Sequence, residues 1–186
     1  MLTEEKILQI AKQSADVAAH VLCLTDYDYT VELISNPELI EDGIFLTETN
    51  TVQINLAQLQ PFTNAELEIK NCKKESDLPM ILKIVYLTFH EMRHFYQKKA
   101  VEAYAVNQMM AGKMIPQPES DRKCELWLRE MKGVLSEDTD IEADSDAFAV
   151  YLLHRYPMKL EWTGTNKRIG YIRRKYDKVG LPGEEE

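Results

Sequence analysis

Cysteine is nearly absent from this chain, and the three present, Cys23, Cys72 and Cys124, are odd in number, far apart and without any C-x-x-C spacing. That excludes a disulfide framework and offers no structural zinc knuckle, so free or buried thiols are expected. No run of about 18 apolar residues occurs, and no transmembrane helix is expected. The first residues, Met1-Leu2-Thr3-Glu4-Glu5-Lys6, lack the basic start and unbroken apolar core of a secretory signal, which points to a cytoplasmic protein with no membrane partner. Positive charge is short as well. With 22 Lys and Arg against 31 Asp and Glu the formal net charge is -9, and phosphate binding needs positive surface, so a general nucleic-acid binder is disfavoured.

What remains is ordinary globular composition: 186 residues, 45% hydrophobic and 28% charged, enough for one domain with a real core. Histidine is scarce too, and that makes its placement informative. Only His20, His90, His94 and His154 occur, yet two of them stand in Thr88-Phe89-His90-Glu91-Met92-Arg93-His94-Phe95. On an α-helix a four-residue step returns to nearly the same face, about 6 Å further along, so both imidazoles can reach one metal ion. The carboxylate of Glu91 lies beside them, where it can take a proton from a metal-activated water without being a ligand itself. Composition alone gives this H-E-x-x-H pattern about one chance in a hundred in such a chain. The preceding residues, Met80 to Leu87, are almost all apolar and predict a helix buried on most sides, with Pro79 in its first turn and Ser76 or Asp77 as cap.

A catalytic zinc site uses three protein ligands and keeps a fourth position for water or substrate, so a third ligand is needed. The best candidate lies in Asp140-Ile141-Glu142-Ala143-Asp144-Ser145-Asp146-Ala147-Phe148-Ala149, where Glu142 and Asp146 again stand four apart on a predicted helix. One carboxylate could bind the metal and the other hold a histidine from behind. His154 is the rival third ligand. A calcium loop fits this acidic run poorly, since counting from Asp138 puts Ala143 where the turn glycine belongs and Ala149 where the closing glutamate belongs.

H-E-x-x-H followed by a helix bearing E-x-x-x-D resembles the gluzincin metallopeptidases, and Glu142, Asp146, Phe148 and Ala149 together look most like the ImmA/IrrE group, small intracellular metallopeptidases linked to mobile-element regulation or stress response. Arg93 stands where that group usually has a small residue. The resemblance implies that His90, His94 and Glu142 bind Zn2+, that Glu91 is the catalytic general base and that Asp146 orients a ligand histidine. It also implies a protein or peptide substrate, and an edge strand beside the active-site helix against which an extended substrate can pair. A non-catalytic zinc-containing regulatory or protein-binding domain of the same fold is the rival function.

Along the chain, Ile7, Ile10, Ala11, Ala15, Ala18, Val21 and Leu22 at three- and four-residue steps predict an amphipathic helix over 3–23, with Thr3 as cap. Tyr29 to Ile34 reads as a strand, and Gly43 to Glu48 with Thr51 to Leu56 as a hairpin around Thr49-Asn50. The expected fold is α+β, a mostly helical zincin-like domain with a small mixed sheet or hairpin beside the H-E-x-x-H helix. Its parts are an N-terminal helix and sheet (1–78), the active-site helix (79–112), an insert carrying Trp127 (113–136), the third-ligand helix (137–156) and a basic C-terminal helix and tail (157–186). Tyr151, His154 and Tyr156 are candidates to stabilise an oxyanion by their closeness to the ligand helix.

Overall fold

The computed structural model describes residues 2–62, 77–110, 141–155 and 167–179. Within them the order is α1 (Glu4–Leu22), β1 (Thr30–Ile34), β2 (Gly43–Leu46), β3 (Thr51–Asn55), α2 (Leu78–Met110), α3 (Ile141–Arg155) and α4 (Lys167–Tyr176). This is the α+β arrangement that the sequence pattern predicts. The predicted insert helix with Trp127, most of the 61–77 segment, Tyr156 and the C-terminal tail lie outside the described residues.

α1 forms where its apolar period and its cap agree. The Thr3 hydroxyl accepts the Lys6 N–H at 3.2 Å, Glu4 and Glu5 sit in the first turn, where the helix dipole favours them, and the helix stops at Cys23 in a left-handed conformation (φ 56°). Its inner face, Ile7, Ala11, Ala15, Ala18, Val21 and Leu22, is buried, and its alanines let α2 approach closely.

The sheet has the order β1-β3-β2. β3 is central, parallel to β1 (Thr30 opposite Thr51, Leu33 opposite Ile54) and antiparallel to β2 (Gly43 opposite Ile54, Leu46 opposite Thr51). Val52 and Ile54 are fully buried, as an inner strand requires. The hairpin turns through Asn50 at φ 51°, a conformation asparagine tolerates better than most residues. Asn55 ends β3 with a buried amide that donates to the carbonyls of Asn36 (2.9 Å) and Glu41 (3.1 Å) and accepts the N–H of Asn36 (3.0 Å). One side chain thus fastens the β1–β2 connection, which leads into the rim of the cleft described below.

α2 has 33 residues and is about 50 Å long. Leu82, Ile84, Leu87, Phe89, Met92 and Phe95 are buried against α1, the sheet and α3, so the expectation of a helix enclosed on most sides holds. Leu78 opens it, Pro79 lies in the first turn, and the Asp77 carbonyl accepts the Ile81 N–H at 3.0 Å. Every residue from Ala147 to Leu153 on α3 is buried, which presses that helix against α2. α4 closes over α3 with Ile172 and Tyr176 buried, the Tyr176 ring standing edge-on to Phe148 at 5.8 Å. No helix among the described residues is long and apolar enough to cross a membrane.

Candidate metal centre

Two helices supply the site. On α2 the four-residue step puts His90 and His94 on one face, their Nε2 atoms 3.0 Å apart. On α3 the same step puts Glu142 and Asp146 on the face turned towards them. Glu142 Oε2 lies 3.1 Å from His90 Nε2, and Glu142 Oε1 lies 3.4 Å from His94 Nε2. Four ligands about 2.05 Å from a tetrahedral ion are about 3.3 Å from one another, so these separations are those of a cage for an ion with short nitrogen and oxygen bonds. His90, His94 and Glu142 can thus hold a metal ion together.

The groups behind the cage fix its polarity. His90 Nδ1 donates to Asp146 Oδ1 at 2.9 Å, and the Tyr86 hydroxyl donates to the same oxygen at 2.5 Å. That arrangement leaves His90 Nε2 to face the centre. Burial disfavours charge on the His90 ring, but its bonds to Asp146 and Glu142 outweigh this and push its pKa up to about 10. The same bonds, to His90 first and then His94, hold the Glu142 carboxyl well below the usual carboxylate range. A field that stabilises an imidazolium here also stabilises a cation placed beside it. Asp146 stays ionised because its bonds to His90 and Tyr86 overcome its partial burial.

Glu91 is almost completely buried yet lines a cleft of about 1020 Å³. Its carboxyl is pushed above the usual carboxylate range by burial, partly countered by His90 and His94. A carboxylate with a raised pKa is a stronger proton acceptor, which suits it to general-base work. The cleft runs between α2 and β2. At one end Lys83 pairs with Asp42 at 2.6 Å, and at the other Lys98 binds the Thr47 carbonyl and Asn50 Oδ1 (2.6 Å), so the hairpin is tied to α2 about four turns apart with the histidines between the ties.

Gly43 opens β2 against Glu91. A Cβ there would lie 2.9 Å from Glu91 Oε1 and 3.4 Å from both Glu91 Cγ and Leu87 Cδ2, so only glycine leaves the carboxylate where it is. If Glu91 is the general base that the sequence resemblance implies, Gly43→Ala is expected to push its carboxylate aside by several tenths of an ångström and to lower turnover by about tenfold to a hundredfold, with metal content unchanged. Steady-state kinetics alongside metal analysis checks this, and loss of metal at unchanged turnover per bound ion would contradict it.

Of the residues singled out from sequence, the structure brings together His90, Glu91, His94, Glu142 and Asp146. His154, the rival ligand, lies three turns beyond Glu142 on α3, outside the cluster, and its pKa is lowered by burial and by Arg173. Tyr151 does not line the cleft, and its hydroxyl accepts a hydrogen bond from Arg155 at 3.2 Å. Tyr86, Gln97, Arg93 with Asp144, and Gly43 were given no role in the site by the sequence pattern. Tyr86 stands one turn before His90 and Gln97 one turn after His94, so the helical period that found the histidines could have found both. Nothing local marks Gly43, whose neighbour Glu91 is 48 positions away. Compared with known protein families, with curated proteins and with solved structures, the chain finds no match in any of the three.

Proposed function

We propose that this protein is a zinc-dependent metallopeptidase that hydrolyses peptide bonds in a protein or peptide substrate. The observation that carries the reading is the convergence of His90 Nε2, His94 Nε2 and a Glu142 oxygen within metal-binding distance of one another, beside a buried carboxylate in an open cleft. Two imidazoles and one carboxylate form a donor set that suits zinc and leave a fourth position for water or substrate. When bound, zinc polarises the scissile carbonyl and lowers the pKa of water from about 16 towards about 7.

The chain's own residues do the rest. Glu91 takes a proton from the attacking water and passes it to the departing amine nitrogen, so the carboxylate is restored at the end of the cycle. Asp146 keeps the Nδ1 proton of His90 and thereby the lone pair on Nε2. β2 is at the edge of the sheet, with β3 as its partner among the described residues, and Gly43, Ile44 and Phe45 line the cleft. Backbone groups on that edge suit an extended peptide, which they would bind with little dependence on its side chains.

Metal analysis of protein purified without a histidine tag tests the reading, with about one zinc per chain expected and almost none in Glu142→Ala. Comparing new protein termini produced by the intact and the chelator-treated protein then tests hydrolysis. Zinc without new termini would favour the non-catalytic regulatory domain, and absence of any metal would dismiss both.

A further inference from the structure

A fully buried amide stands behind the second histidine. Gln97, one turn after His94 on α2, has its Oε1 2.9 Å from His94 Nδ1. Its Nε2 lies 3.0 Å from the Ile141 carbonyl, 3.0 Å from Asp144 Oδ2 and 3.2 Å from Ser145 Oγ. Those neighbours decide which way the amide faces. A carbonyl and a carboxylate are acceptors only, and the Ser145 hydroxyl gives its own hydrogen to the Ile141 carbonyl at 3.0 Å. The NH2 group must therefore point at α3, because the reversed amide would set its oxygen against three acceptors. The oxygen is left facing His94, and an acceptor there requires hydrogen on Nδ1. Ser145 Oγ, 3.4 Å from the same nitrogen, is the weaker second acceptor.

We propose that Gln97 is a positioning residue for the metal centre: it holds His94 in the Nδ1–H tautomer, so that the Nε2 lone pair points at the ion. The proposal rests on the metal-binding reading above. It gives the two ligand histidines different supports, a carboxylate for His90 and an amide for His94. The amide is itself polarised by Asp144, whose charge is matched by Arg93 at 2.8 Å, so a buried chain of bonds runs from Arg93 through Asp144 and Gln97 to His94. Gln97 also ties the two ligand helices, since its amide nitrogen reaches the first residue of α3. Neither action involves the substrate.

Two measurements test it. In the metal-free wild-type chain, two-bond proton–nitrogen couplings of the histidine rings, read at a pH where the His94 ring is neutral, are expected to show hydrogen on Nδ1. Hydrogen on Nε2 would overturn the proposal, whether or not zinc is the natural ion. Zinc affinity, by competition with a chromophoric chelator, is expected to fall about tenfold to a hundredfold in Gln97→Leu and much less in Ser145→Ala, which removes only the weaker acceptor 3.4 Å from His94 Nδ1. Equal losses in both variants, or none in Gln97→Leu, would overturn it as well. If Gln97→Leu fails to fold, the ring couplings decide. A wild-type chain that shows the Nδ1–H form and yet binds no zinc would sink the metallopeptidase reading and leave the tautomer assignment standing.

Discussion

On the proposed metallopeptidase reading, Glu91→Gln is expected to retain about one zinc per chain and to lose peptide cleavage by about a hundredfold to ten-thousandfold. The substitution exchanges one carboxylate oxygen for an NH2 group of the same size, so the contact with Gly43 and the packing of this almost fully buried side chain persist. What disappears is the ability to accept a proton. Glu91 is not among the three atoms that close the cage, which are His90 Nε2, His94 Nε2 and a Glu142 oxygen, so the ion has no reason to leave. Loss of a positioned general base is worth a factor of about a hundred to ten thousand. A shorter carboxylate tests distance separately: Glu91→Asp keeps the proton acceptor but withdraws it from the cleft, and an intermediate loss is expected. The measurement is initial rate on an unstructured protein substrate, with zinc determined on the same samples. A zinc-loaded Glu91→Gln protein that cleaved within tenfold of wild type would remove Glu91 from the chemistry.

The centre was legible in the sequence because it is periodic. Two histidines four apart and two acids four apart each define a helix face without reference to anything distant, and the packing of α2 on α3 brings the two faces together. The hairpin was equally legible, since two runs of β-forming residues flank an asparagine that accepts a left-handed turn. Other features escaped for one physical reason. The role of Gly43 depends on a carboxylate 48 positions away, and the parallel pairing of β1 with β3 skips β2 altogether. Arg93 was legible only as an oddity, standing where the group that the motif resembles usually has a small residue. Arg93 lies between Glu91 and His94 as Asp144 lies between Glu142 and Asp146, and both turn away from the metal face into the contact between the helices.

Removing that ion pair is expected to cost more stability than any other polar substitution considered for this chain. Arg93 and Asp144 have no exposed side-chain surface, and they meet through two bonds, Nε to Oδ2 at 2.8 Å and Nη2 to Oδ1 at 3.3 Å. Arg93 Nη1 also donates to the Tyr176 hydroxyl at 2.7 Å, and the guanidinium stands 4.5 Å from the centre of the Tyr96 ring. Burial disfavours the charge on Arg93, but Asp144 outweighs it and keeps the guanidinium protonated. One residue on α2 thereby holds α3 and α4 at once. Arg93→Leu removes the guanidinium that matches the charge of the fully buried Asp144 carboxylate, and is expected to destabilise the metal-free chain by about 3–5 kcal/mol. Arg93→Leu combined with Asp144→Leu leaves no stranded charge and is expected to cost less than the sum of the two single changes, by about 1–3 kcal/mol. Urea unfolding followed by helical circular dichroism measures all three. Costs below about 1 kcal/mol for Arg93→Leu, or strict additivity in the double variant, would show that the pair does not pin the helices. Zinc supplies an independent reading of the same pin. Because Glu142 reaches the cage from α3 and the histidines from α2, any slack between the helices must appear as weaker zinc binding in Arg93→Leu, even though Arg93 touches none of the ligand atoms.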